Sequence, residues 1–96
     1  MDFTAFHLRV GTVAEAEAAG DALRLVVDLG GDRRPATAHI TERYGPTDLV
    51  GRQVVVVANP PGAEGGEVVV LAAVSPVHGA VLLAPDQPVP DGTAVV

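Results

Sequence analysis

Three histidines, one serine, twelve carboxylates and a glycine-rich loop are the groups in this chain that could carry chemistry. His7, His39 and His78 lie far apart, without the His-x-x-x-His or His-Glu spacing that places two ligands on one metal. They read as surface or rim histidines. Ser75 precedes Pro76, with His78 three residues on. A serine nucleophile needs an oriented base and an oxyanion hole, and no Gly-x-Ser-x-Gly setting surrounds it, so Ser75 reads as a turn residue. The loop Gly62-Ala63-Glu64-Gly65-Gly66 lacks the Lys-Ser/Thr step of a phosphate-binding loop, and Glu64 would repel phosphate. Glu15/Glu17 and Asp86/Asp91 read as solvated carboxylates rather than an acid–base pair. There is no cysteine, hence no thiolate nucleophile, disulfide framework or Cys-based zinc site. The expectation is a binding protein, not an enzyme, with no catalytic residue, no metal site and no cofactor.

Charge narrows what could be bound. Six arginines, no lysine and twelve acidic residues give a net charge of −6. Binding to nucleic acid draws on cations that release counterions from phosphates, and an acidic total disfavours sequence-independent attachment to a phosphate backbone. A small local patch is still possible. Arg33 and Arg34 are the only adjacent arginines, with Asp32 beside them.

Behind these groups stand elements of β type. At 96 residues the chain is long enough for one core and too short for two, so residues 1–96 are expected to form a single domain. Val, Ala and Leu must fill the interior, because Phe3, Phe6 and Tyr44 are the only aromatics. Phe3 to Phe6 could form a helical turn capped by Asp2. From His7 the pattern alternates: Leu8, Val10 and Thr12 face one way, His7, Arg9 and Gly11 the other. Gly11 suggests a bulge or bend, and the strand continues over Ala14 to Ala18. A second strand directs Leu23, Leu25, Val27 and Leu29 inward, and Gly30-Gly31-Asp32 signals a hairpin into a third strand, Arg33 to Ile40. Thr41 to Leu49 reads as a short helical connector, with Thr41 and Thr47 as candidate caps and Gly45-Pro46 as a break. Strand four, Arg52 to Ala58, holds four consecutive valines and should be covered on both faces. Strand five is expected over Glu67 to Val74 and a further strand over Gly79 to Ala84. A proline-paced loop follows, Pro85 to Gly92. No run reaches the roughly 18 apolar residues that span a bilayer, and the N-terminus lacks signal-peptide character, which points to a cytoplasmic protein.

Three strands, a short helix and two more strands is the element order of the OB-fold. The expected class is therefore all-β: a five-stranded Greek-key barrel, a short helix between strands three and four, and a C-terminal β extension. The apolar surplus after the core, including Leu82-Leu83 and Val95-Val96, suggests a covering hairpin together with a dimer interface.

The ordered segments Leu8-Arg9-Val10-Gly11-Thr12-Val13, Leu23-x-Leu25-x-x-Asp28-x-Gly30 and Thr37-Ala38-His39-Ile40-Thr41-x-Arg43-Tyr44-x-Pro46 resemble one family. So do Leu49-x-Gly51-x-Gln53-Val54, Asn59-x-Pro61 and Val81-Leu82-Leu83-x-Pro85-Asp86-Gln87-Pro88-Val89-Pro90-x-Gly92-Thr93. The likeness covers nearly the whole chain. It is to the tRNA-binding domain appended to methionyl-tRNA synthetases, and most closely to its free-standing CsaA-type chaperone form. The resemblance implies an OB-fold barrel extended at both ends, a homodimer, no catalysis, and tRNA or unfolded polypeptide as the partner. Three places depart from the family pattern: the loop after Asn59-Pro60-Pro61 is short and acidic, His39 replaces a glutamine, and the connection between strands one and two is cut short at Ala18 to Asp21.

On that resemblance, Arg33, Arg34 and Arg43 are expected to contact RNA phosphates, and His39, Asn59 and Tyr44 to meet bases or ribose. Each has a plainer alternative. Arg33-Arg34 can be a solvated strand end, Arg43 an ion pair with Glu42 or Asp48, Tyr44 a lid on the barrel end, and Asn59 a turn cap. Two other functions remain open, a polypeptide-binding chaperone and a structural or regulatory dimer without RNA affinity.

Overall fold

The structure is a computed structural model that describes residues 6–41 and 43–96. The expected Phe3–Phe6 turn with its Asp2 cap and the Arg43–Glu42 ion pair fall outside the described residues. The described chain is all-β apart from one short helix. Its strands are β1 (Leu8–Ala19), β2 (Ala22–Asp28), β3 (Arg33–Ala38), β4 (Gln53–Val57), β5 (Val69–Val70), β6 (Ala72–Ser75) and β7 (Gly79–Leu82), with α1 at Pro46–Leu49. The first five form one antiparallel sheet in the order β3-β2-β1-β4-β5. The sheet curls until its two edges meet, where the Val68 amide donates to the Pro35 carbonyl at 2.9 Å.

Alternation in the sequence becomes burial inside this curl. Leu23, Leu25 and Val27 of β2 are at most 1% exposed, as their period-2 spacing requires, and Leu29 packs against the same cluster. Val54 and Val56 fill the interior from β4, while Val55 and Val57 are half-buried on the outer side. Each such side chain, fully removed from water, contributes about 1.5–3 kcal/mol.

Strand β1 is the spine. Its second half pairs with β2 and its first half with β4. The other edge of that first half is taken by the C-terminal segment. The Val10 amide donates to Thr93 O at 2.9 Å, Gly92 N to Val10 O at 2.7 Å, and Val95 N to Leu8 O at 2.9 Å. Val10 is thereby buried outside the main core cluster, which β1 enters through Val13. The expected irregularity at Gly11 lies instead between Val13 and Glu15, where the β1–β2 register shifts. Gly11 serves close approach. A Cβ there would lie 2.6 Å from Val27 Cγ1 and 2.7 Å from Leu29 Cδ2.

Several boundaries differ from the sequence reading; β4 spans Gln53–Val57 instead of Arg52 to Ala58, and β7 ends at Leu82 instead of Ala84. The connector is helical only over Pro46–Leu49. Pro46 opens the helix, so Thr47 is not its cap; instead the Asp48 carboxylate folds back onto the Gly45 amide at 2.8 Å. The anticipated single strand over residues 67–74 breaks at Leu71 into β5, which stays in the curled sheet, and β6, which pairs only with β7. Leu71 bonds instead to Val55 and Leu83. Strand β3 ends at Ala38, two residues early. Beyond the core, the β6–β7 hairpin leaves Val74 and Val77 at 80% and 84% exposure. No helix among the described residues is long and apolar enough to cross a membrane.

Candidate functional site

The proline-paced loop is held across β1 and β4 by one polar cluster. Gln53 Nε2 donates to Val89 O at 2.6 Å and to Asp91 Oδ1 at 3.2 Å, and the Val89 amide donates to Gln53 Oε1 at 3.1 Å. Thr12 Oγ1 donates to the same Asp91 oxygen at 2.6 Å. This latch brings Gly92 against the first half of β1. A groove of about 310 Å³ results, lined by His7, Arg9, Leu29, Asp32, Arg34, Ala58 and Gly92.

The groove holds two guanidinium groups in different states. Arg9 projects from β1, with only a 3.4 Å contact from Nη1 to the Gly92 carbonyl. Arg34 projects from β3 and is heavily engaged: Nε donates to Gly66 O, Nη2 to Ala58 O at 3.0 Å, and Nη1 to Asp32 Oδ2 at 3.3 Å. Asn59 borders the groove, its Oδ1 accepting the His7 amide at 2.7 Å while Ala58 N donates to His7 O at 2.8 Å. The loop following β4 is thus sewn to the start of β1.

The expected binding residues do not converge. Arg34 and Asn59 come together at the groove. Arg33, the next residue on an extended strand, points to the opposite face, so the two adjacent arginines do not make one patch. Arg33 Nε lies 3.7 Å from Asp28 Oδ2. That carboxylate also accepts the Gly30 and Gly31 amides at 2.9 and 2.8 Å. The Gly31 and then the Gly30 hydrogen bond hold its pKa below the usual aspartate value, against an opposing effect of desolvation and with a lesser lowering contribution from Arg33. His39 is exposed beyond the end of β3, five residues from Arg34 and therefore roughly 16 Å along the strand. Arg43 sits near the β6–β7 turn, with Nη1 3.4 Å from His78 O. Tyr44 is a lid: its ring packs on the core, its hydroxyl accepts the Leu82 amide at 3.1 Å, and Arg52 lies 5.8 Å from the ring centroid.

Ion pairing sorts the six arginines. Arg24, Arg33 and Arg34 have carboxylate partners, whereas Arg9, Arg43 and Arg52 have none among the described residues. Sequence reasoning passed over Arg9 and His7. The signal available was that Arg9 lies between Leu8 and Val10 with no acidic residue close by, unlike Arg33 and Arg34 beside Asp32. A second depression, about 330 Å³, is lined by Pro60, Pro61, Gly62, Ala63, Glu64, Glu67 and Val69. Among the described residues no group of three or more His, Cys, Asp or Glu could hold a metal ion.

The chain is similar to known proteins over nearly its whole length. It is 46% identical over 99 aligned positions to a methionine–tRNA ligase of Methanothrix thermoacetophila, covering 97% of this chain but only 15% of the ligase. The structure of the chaperone CsaA from Bacillus anthracis superposes with a TM-score of 0.89 and 38% identity, over 99% of this chain and 94% of that one. A MetRS-related protein from Pyrococcus horikoshii gives 0.83 and 26%, over 98% and 93%. No family model matches the chain.

Proposed function

Because the chain belongs to the family of CsaA-type chaperones and tRNA-binding domains, we propose that it is a non-catalytic, cytoplasmic protein that binds tRNA through the face of its OB-fold that carries the β1 groove. In this reading residues 1–96 form one OB-fold domain, with the curled five-stranded sheet as its barrel and the β6–β7 hairpin as its extension. The observation that carries the proposal is the groove at β1, where Arg9, which has no carboxylate partner among the described residues, stands beside His7 and Asn59. Arg9 offers a planar fork to a phosphate, and Asn59 and His7 offer polar groups to ribose or base edges. Arg34 belongs to the edge of this set. Arg33 and Arg43 contribute only long-range field, and His39 stands apart from the groove.

The acidic total makes such binding weak and local. One or two neutralised phosphates give a log K against log salt slope of roughly −1 to −2, far shallower than that of a broad basic surface. Titration of bulk tRNA at low ionic strength, read by gel shift, tests the reading. A salt-sensitive complex supports it, and no complex at low salt ends it.

The depression at Pro60–Val69 favours a second reading. Apolar walls carrying Glu64 and Glu67 suit a cationic, extended polypeptide better than a phosphate. Capture of a reduced, unfolded basic protein without capture of tRNA would select that function. A protein that takes neither is a structural dimer. Under all three readings the exposed β6–β7 hairpin is proposed to be covered by a second copy of the chain.

A further inference from the structure

We propose that Arg34 is a positioning residue for the RNA-binding groove: its guanidinium anchors both ends of the 58–66 loop and does not itself bind phosphate. This rests on the reading of the groove as an RNA site. Both loop ends hang on one side chain. Nη2 holds the Ala58 carbonyl immediately before Asn59, and Nε holds the Gly66 carbonyl where the loop returns. These two carbonyls and the Asp32 carboxylate occupy three of the five N–H donors, and Asp32 balances the charge. The Arg34 side chain is only 25% exposed. A phosphate arriving there would meet the Asp32 carboxylate, whereas Arg9 has no carboxylate partner among the described residues.

Gly66 is fitted to this contact. Its φ is +74°, and a Cβ would lie 3.0 Å from Arg34 Nε and 3.5 Å from Cδ. Any side chain at this position would push against the guanidinium as well as straining the backbone. From Ala58 the order passes to Asn59, whose side chain fixes His7, and so to the Arg9 end of β1. Lysine has the charge of arginine but one compact ammonium, which cannot reach two carbonyls and a carboxylate arranged around a planar fork.

The test uses R34K, which keeps the charge, and G66A, which keeps Arg34 itself. Hydrogen exchange of the 58–67 amides is measured on the whole chain, with β1–β2 amides as the internal control of folding, alongside tRNA titrations over a salt series. Both variants are expected to exchange at least about tenfold faster in the loop only. Both are expected to bind tRNA about tenfold more weakly, with the wild-type salt slope, because no phosphate contact is lost. Wild-type affinity in R34K, or unchanged loop exchange in both variants, overturns the proposal. So does a salt slope shallower by about one in R34K. If the unaltered protein binds no tRNA, the functional reading falls, and loop exchange alone then decides whether Arg34 anchors the loop.

Discussion

Six arginines stand in this chain, and their worth depends on what each one faces. Arg9 faces a groove and has no carboxylate partner among the described residues; Arg33 faces Asp28 at 3.7 Å on the other side of the sheet. Arg9→Gln should therefore weaken tRNA about tenfold at low salt and make the salt slope shallower by about one, while Arg33→Gln leaves both within about twofold. Filter binding over a salt series measures both quantities. Asp28 makes a separate prediction. Its folded pKa is depressed by the Gly31 and Gly30 amides and by Arg33, so the ionised form favours folding. That contribution is fully present above the unfolded pKa of about 3.9 and is lost as pH falls through the lower folded value. Asp28→Asn should lower stability near neutral pH, and the gap to the wild type should close on acidification below about pH 4. Denaturant titrations at several pH values check this; a gap that widens with acid would contradict the assignment.

At the scale of elements, the short connector matters more than its length suggests. Helix α1 has only four residues, too few for stability by hydrogen bonding alone. Leu49 fixes it, with no exposed surface and a place in the core cluster. Leu49→Ala should cost about 2–5 kcal/mol in urea unfolding, because the void lies between α1 and the sheet and neither can close over it. The element sequence was largely legible in advance: β1, β2 and β4 follow from alternation and from the valine run. The division of the 67–74 stretch was not. From Val68 onward all its residues are apolar and able to continue a strand, and the break at Leu71 arises because that residue bonds to Val55 and Leu83 across the chain. The capping of α1 by Asp48 instead of Thr47 was hidden for a related reason, since Pro46 takes the first helical position and moves the cap back to Gly45.

At the scale of the whole molecule, the exposed hairpin is the feature that the chain leaves unfinished. A two-stranded ribbon is marginal by itself, and Val74 and Val77 are more than three-quarters exposed on β6–β7. If a second copy covers them, Val74→Asp with Val77→Asp should convert a dimer to a monomer in sedimentation velocity, and should remove the concentration dependence of the melting temperature. Identical sedimentation of the two proteins would place the interface elsewhere. The sequence by itself determined the all-β character, the inward face of β2 and the family. All of these follow from local periodicity or from the order of short segments. Only the tertiary structure decided which cations are available. Strand pleating sends Arg33 and Arg34 to opposite faces, the β2–β3 register places Asp28 against Arg33, and the returning C-terminal segment builds a groove around Arg9. An ion pair depends on distances between residues far apart in the chain, and those are set by how the sheet curls rather than by spacing along it.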